Sequence, residues 1–151
     1  MFRELNLKDD TVNFFLNVLD IAKYFNIKNN DTHCTINGFQ SLNMRRFFPD
    51  IFIDNFLPSD IKAKQLKHIH LIEYFKEGYQ LEHDHTETGE AYSFIIYLND
   101  SDGDTVLYLD ENKKNVKPVK NKMIIFESRI RHEALVSNKN KKIAVGAIYN
   151  D

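Results

Sequence analysis

Apolar side chains recur at three- and four-residue steps between residues 10 and 25, at Val12, Phe15, Leu16, Leu19, Ala22 and Phe25. That period predicts an amphipathic helix, which Asp9 or Asp10 can cap and which Asn29, Asn30 and Asp31 end. Residues 32–43 read as irregular, with Asn37-Gly38 marking a turn. The aromatic-rich stretch 47–57, bounded by Pro49 and Pro58, predicts a short buried helix, and the cap residues Ser59 and Asp60 predict a further helical turn before Ile61, Ala63 and Leu66. After Lys67 the period shortens to about two, and β-branched and aromatic residues dominate. Strands are predicted near 69–76, 91–98, 105–109, 115–119, 122–126, 132–136 and 142–149, with polar turns at 100–103 and 137–140.

A helical preface followed by seven short strands predicts a mainly β fold with N-terminal helices (α+β), an antiparallel sandwich or jelly roll with the helices packed on one face. No linker, repeat or low-complexity tract divides the 151 residues, so they read as one domain, with helical support over about 1–67 and a jelly-roll core over about 68–151. A chain of this size can bury roughly two-thirds of its unfolded surface, so its core needs neither disulfide nor structural metal. Any metal is then free to be functional.

Composition narrows the chemistry. Twenty basic residues against twenty-two acidic ones give a net charge of −2 with no long block of one sign, which disfavours nucleic acid as a partner. Cys34 is the single cysteine, and the first thirty residues hold no uncharged apolar leader, so a reducing, cytoplasmic setting is expected. No apolar run is long enough to span a bilayer, and no membrane partner is expected. Nothing in the pattern sets an oligomeric state.

Three of the six histidines, His83, His85 and His132, fall at predicted strand ends, where the mouth of a jelly roll would gather them. The run Glu82-His83-Asp84-His85-Thr86-Glu87 is richer in imidazole and carboxylate than core packing needs, although an isolated His-Asp-His triplet is more often a solvated loop. On an extended segment His85 and Glu87 emerge on one face and can share an ion. His132, forty-five residues beyond Glu87, begins a later predicted strand that the fold can bring alongside. Two imidazoles and one carboxylate on one side of an ion leave the other side open, the arrangement suited to non-haem Fe(II).

In order along the chain, Leu71-Ile72-Glu73-Tyr74-Phe75-Lys76-Glu77-Gly78, His85-Thr86-Glu87, Ser93-Phe94-Ile95-Ile96-Tyr97-Leu98-Asn99, Gly103-Asp104-Thr105, Pro118 with Asn121, and Phe126-Glu127-Ser128-Arg129 before His132 form a set. This set resembles the Fe(II)- and 2-oxoglutarate-dependent oxygenases, in particular their prolyl 4-hydroxylase-like branch. The resemblance covers about 69–149, and each motif alone is weak while the ordered set is specific. It implies a double-stranded β-helix (jelly roll), Fe(II), 2-oxoglutarate as co-substrate and O2. The implied reaction is hydroxylation of a peptidyl or small-molecule C–H bond, with release of succinate and CO2.

Carried over residue by residue, the resemblance makes His85, Glu87 and His132 the iron ligands. It places Lys142, ten residues after His132, against the far carboxylate of 2-oxoglutarate, with the Tyr74 phenol as partner. Lys141, on the opposite face of the strand, is expected to be solvated. The chain departs from the family in using Glu87 for the commoner aspartate and Lys142-Ile143-Ala144 for Arg-X-Ser. The retained carboxylate favours hydroxylation over halogenation. Arg129 and Arg131 read as exposed charges or as substrate contacts, and His33, His68 and His70 have no partner spacing. A cupin-type metal-binding protein using His83, His85, Glu90 and His132 is the alternative, but the glycine after Glu90 and the Pro-X-Gly-X-X-His spacing are lacking. A non-catalytic jelly-roll binding module is the third reading.

Overall fold

In the computed structural model, residues 2–29, 35–84 and 91–150 are described. The chain opens with β1 (Phe2–Asn6), α1 (Asp9–Tyr24) and β2 (Thr35–Gln40), then α2 (Asp50–Phe56) between two short 3-10 turns. Seven strands follow: β3 (Leu66–His83), β4 (Tyr92–Tyr97), β5 (Thr105–Leu109), β6 (Asn112–Val116), β7 (Lys122–Glu127), β8 (Arg131–Ala134) and β9 (Lys141–Ile148). All pair antiparallel, in the order β1-β7-β4-β9-β3-β8-β5-β6, with β2 alongside β3. This is the double-stranded β-helix, and it curls because β3 serves two neighbours: residues 66–74 pair with β9, and residues 80–83 pair with β8.

The helical expectation holds where periodicity was strong. α1 buries Val12, Phe15, Val18, Leu19 and Ala22 as its inner stripe, with Asp9 and Asp10 at the positive end of its dipole. Phe15 meets Phe48 and Phe56, so α1 and α2 share one aromatic core against the sheet. Two strands, β1 and β2, arise in the region read as helical or irregular. β1 is too short and mixed to show alternation, and β2 straddles the predicted Asn37-Gly38 turn, where the ladder slips between Ile36 and Gly38. Among the described residues, no helix is long and apolar enough to cross a membrane.

β3 also runs further than the predicted 69–76, passing Gly78 without ending. The positive φ sits on Glu77 (70°), whose N–H donates to the Ser137 carbonyl, so the strand bends there and continues. Gly78 is required by crowding: a Cβ would stand 2.7 Å from the Asn37 carbonyl oxygen and 2.9 Å from that of Phe75. The extension carries His83 to a place directly opposite His132.

Candidate active site

Strand alternation gives the major sheet two different faces. Leu71, Phe94, Ile96, Met123, Ile125 and Ala144 pack toward the helices, whereas Ile72, Tyr74, Ile95, Tyr97, Ile124, Phe126 and Ile143 line the barrel interior. The interior row holds the buried polar groups on which a site can be built.

His132, on β8, is only 4% exposed, and its ring packs edge-on to Phe126 with centroids 5.0 Å apart. The His83 ring lies across the ladder at 4.2 Å between centroids. Nδ1 of His132 is 3.0 Å from the Ile130 carbonyl oxygen, and Nδ1 of His83 is 2.8 Å from that of Leu81. A carbonyl can only accept, so Nδ1 carries a proton in each ring. On the other face of these strands, Arg131 pairs with Glu82 at 3.0 Å and with Asp84 at 3.5 Å. The Glu82 hydrogen bond first, and then the Glu82 and Asp84 charges, raise the Arg131 pKa and hold its guanidinium in the charged form.

The second element is a buried cation. Lys141 is 1% exposed and stands opposite Tyr74 in the β3–β9 ladder, with Nζ 4.8 Å from the Tyr74 ring centroid. Its Nζ donates to the Gly103 carbonyl oxygen at 2.6 Å. Burial pushes the ammonium down to about 8, against the pull of Asp102 and Asp104. Nearby on β4, the Tyr97 hydroxyl donates to Thr105 Oγ1 at 2.6 Å, and burial raises its pKa.

The two lysines are therefore the reverse of the sequence expectation. Lys142 is half-buried on the face that carries Ala144 and Glu73, away from the barrel interior, while Lys141 shares the inner row with Ile143. The alternation was sound but its phase was off by one. The phase is set by backbone pairing, with Leu98 N–H donating to the Lys142 carbonyl and Lys142 N–H to Asn99 Oδ1, which no side-chain pattern at the strand's first two residues reveals. The Glu73 carboxylate on that outer face is already engaged by Lys23 at 2.7 Å and Asn140 at 3.0 Å.

Tyr74 is fully buried on the interior row. His85 and Glu87, with Glu90, His33 and Cys34, lie outside the described residues. His83, which the leading sequence reading left without a role, stands opposite His132 across the ladder. A surface cavity of about 410 Å³ lined by Tyr108, Asp110, Glu127, Arg129 and Arg131, among others, includes neither His132 nor Lys141 in its wall.

The sequence matches the 2OG-Fe(II) oxygenase superfamily over residues 69–150, more than half of the chain, from within β3 to past the end of β9. The chain belongs to that superfamily. As a 2OG-Fe(II) oxygenase it is an oxidoreductase whose cofactors are Fe(II) and 2-oxoglutarate, with O2 as oxidant, and the cupin alternative falls away. Solved structures agree on the fold. A Pseudomonas putida prolyl-4-hydroxylase superposes with a TM-score of 0.72 at 15% identity, over 99% of this chain and 92% of that one. A Trichoplax adhaerens prolyl hydroxylase, solved with a hypoxia inducible factor oxygen degradation domain peptide fragment, gives 0.74 at 14% identity over 97% and 83%. SnoN, a non-heme alpha ketoglutarate dependent epimerase from nogalamycin biosynthesis, also gives 0.74, at 10% identity over 97% and 76%. No curated protein matches the chain.

Proposed function

We propose that this oxygenase is a hydroxylase that acts on a C–H bond of a peptidyl substrate, prolyl residues included, or of a small molecule, with release of succinate and CO2. The observation that carries the reading is Lys141. Among the described residues its hydrogen-bond acceptor is a carbonyl, not a carboxylate, so a charged ammonium is buried without a close anionic partner. Such burial is costly, and the downward shift to about 8 expresses that cost. A dicarboxylic co-substrate whose far carboxylate reaches Lys141 supplies the missing charge.

His132 supports the metal. It is a buried ring whose Nδ1–H is held by a backbone carbonyl, the outer contact typical of a metal-bound imidazole. The remaining protein ligands would come from the run after β3, where His85 and Glu87 are the pair named by the family spacing. When bound, Fe(II) with 2-oxoglutarate supplies the oxidising power that places one atom of O2 on the substrate carbon. The chain's own part is placement. Lys141 and Tyr74 orient the co-substrate, while Ile72, Ile95, Phe126 and Ile143 exclude water from the wall. The prolyl hydroxylases among similar structures support a peptidyl substrate, and the epimerase supports keeping small molecules in view. The single cysteine and the need to keep iron ferrous fit a cytoplasmic setting.

Anaerobic addition of Fe(II) and then 2-oxoglutarate tests the reading. A metal-to-ligand absorption band should appear at saturation, and Lys141→Met should need more 2-oxoglutarate to reach it. A protein that takes up iron yet never gives the band is not the proposed hydroxylase.

A further inference from the structure

We propose that Lys114 is a substrate-binding residue whose ammonium takes a carboxylate of the primary substrate, an acidic peptide or a small carboxylic acid, at the open side of the barrel. This rests on the hydroxylase reading above and narrows the substrate class that it leaves open.

β6 ends the sheet on one side and β1 ends it on the other, and no ladder joins them among the described strands. Register places Lys114 at that seam. His132 stands opposite Leu107, and Leu107 stands opposite Lys114, so the three side chains leave one face of three adjacent strands. That face is the inner one, because His132 and Leu107 are buried on it and Val116, two residues along β6, joins the same interior cluster. Two strand spacings, about 10 Å, separate the backbones of Lys114 and His132. The major sheet returns to the same level. Phe126, whose ring meets that of His132, is the ladder partner of Phe2, and the Lys114 ammonium lies 4.8 Å from the Phe2 ring centroid. Lys114 thus reaches across the two free edges at the height of the candidate metal ligand, its ammonium set against an aromatic face and the residue otherwise exposed.

Charge points the same way. Between Asn112 and Phe126 the chain carries Lys113, Lys114, Lys117, Lys120 and Lys122 and no carboxylate. Lys113 alternates to the outer face, where its ammonium lies over Tyr108. On the facing edge Glu4 shares the inner face with Phe2, yet Lys114 forms no ion pair with it or with any other described residue. Lys141 serves a deeper row: it bonds to Gly103, just before Thr105, and the β6 partner of Thr105 is Val116, not Lys114. The two cations stand at different depths, one for the co-substrate and one for the primary substrate.

Anaerobic protein loaded with Fe(II) and 2-oxoglutarate, offered two matched sets of probes, tests this. One set is random capped hexapeptides carrying a glutamate against the same peptides with glutamine; the other is N-acetyl amino acids against their amides. Retention on ultrafiltration reads binding, and mass spectrometry after admission of air reads products with one added oxygen. The acid members of one set should be retained about 10-fold or more over their neutral partners, as a charge-assisted contact implies, and which set shows the preference tells a peptide from a small acid. Lys114→Met, whose stem still covers Phe2, should erase the preference and raise KM with little change in kcat, whereas Lys114→Arg should keep it. All three proteins should reach the metal-to-ligand absorption band at the same 2-oxoglutarate concentration, which separates Lys114 from a co-substrate anchor; a higher requirement in Lys114→Met would overturn the assignment to the primary substrate. Acid and neutral probes retained alike, or a preference that survives in folded Lys114→Met, would overturn the inference and leave the hydroxylase standing. A protein that gives neither the band nor succinate would overturn both.

Discussion

The two faces of the major sheet are made from the same strands yet bury different things. The helix-backed face closes over Phe15, Leu19, Phe48, Ile53, Leu71, Phe94 and Ile96, and its buried carboxylate, Glu73, is matched by Lys23 and Asn140. The barrel face buries Tyr74, Tyr97, Thr105, His132 and Lys141 among its apolar residues. On the first face burial produces stability and little else. On the second, each buried polar group needs a specific acceptor or donor, and among the described residues the hydrogen-bond acceptor of Lys141 is a carbonyl, not a carboxylate. In the function proposed above, the difference separates the part of the molecule that holds the fold from the part that would do the chemistry.

If that separation is real, substitutions on the two faces should fail in different ways. The largest effect is expected for His132→Ala. Losing a metal ligand forfeits several kcal/mol of transition-state stabilisation, so succinate formation should fall by about 1,000-fold or more, together with iron loading. Turnover near the wild-type rate would show that His132 is only a core residue. Phe15→Ala should do the opposite. Removing a fully buried aromatic from the α1–α2 core is expected to cost about 3–5 kcal/mol in chemical denaturation, with the folded fraction keeping its specific activity. A folded Phe15→Ala protein that is inactive would break the comparison.

The same division explains what could be read before the structure. α1 was clear because its apolar stripe repeats for four turns, and β4, β5, β7 and β9 were clear because β-branched residues recur between short polar turns. β6, at 112–116 and not the expected 115–119, is exposed and polar and gave no such signal. Ordered motifs named His132 and Tyr74 as candidates. What stayed hidden depends on pairing between distant segments. β2 forms because β3 offers it an edge, β3 continues past Gly78 because Glu77 takes a positive φ and bonds to Ser137, and the inward turn of Lys141 is decided by its register against Tyr74. A side-chain pattern gives the period of a strand but at its first residues leaves the phase open, and one step of phase exchanged Lys141 for Lys142.

That exchange gives a smaller and sharper test. Lys141→Met should raise the 2-oxoglutarate requirement about 30-fold or more, the cost of removing one partner from a buried charge pair, while Lys142→Met should change it less than about twofold. Equal effects, or a larger one at Lys142, would return the anchor to the outer face. Gly146 offers a structural control on the same strand. Its absent Cβ is where the edge of the Phe94 ring packs, so Gly146→Ala should lower stability by about 1–3 kcal/mol through overpacking.

The smallest predicted effect is the pH dependence of Lys141, and its sign follows from linkage. The buried ammonium titrates at about 8, below the ordinary lysine value of 10.5, because burial disfavours its charge. The unfolded chain therefore holds this proton more tightly than the folded one, and between about pH 8 and 10.5 the stability of the co-substrate-free protein should rise with pH from this group. Co-substrate affinity should move the other way. A carboxylate binds the charged ammonium, so above about pH 8 each molecule of 2-oxoglutarate must bring back a proton, and its dissociation constant should climb toward tenfold per pH unit. Lys141→Met should abolish both slopes, because it removes the titrating group while Asp102 and Asp104 remain. Calorimetric titration of 2-oxoglutarate between pH 7 and 9.5 into wild-type and Lys141→Met proteins separates the cases. A wild-type affinity flat across that range would mean that the buried lysine does not hold the co-substrate, and the polar inner face would then need another cation to account for it.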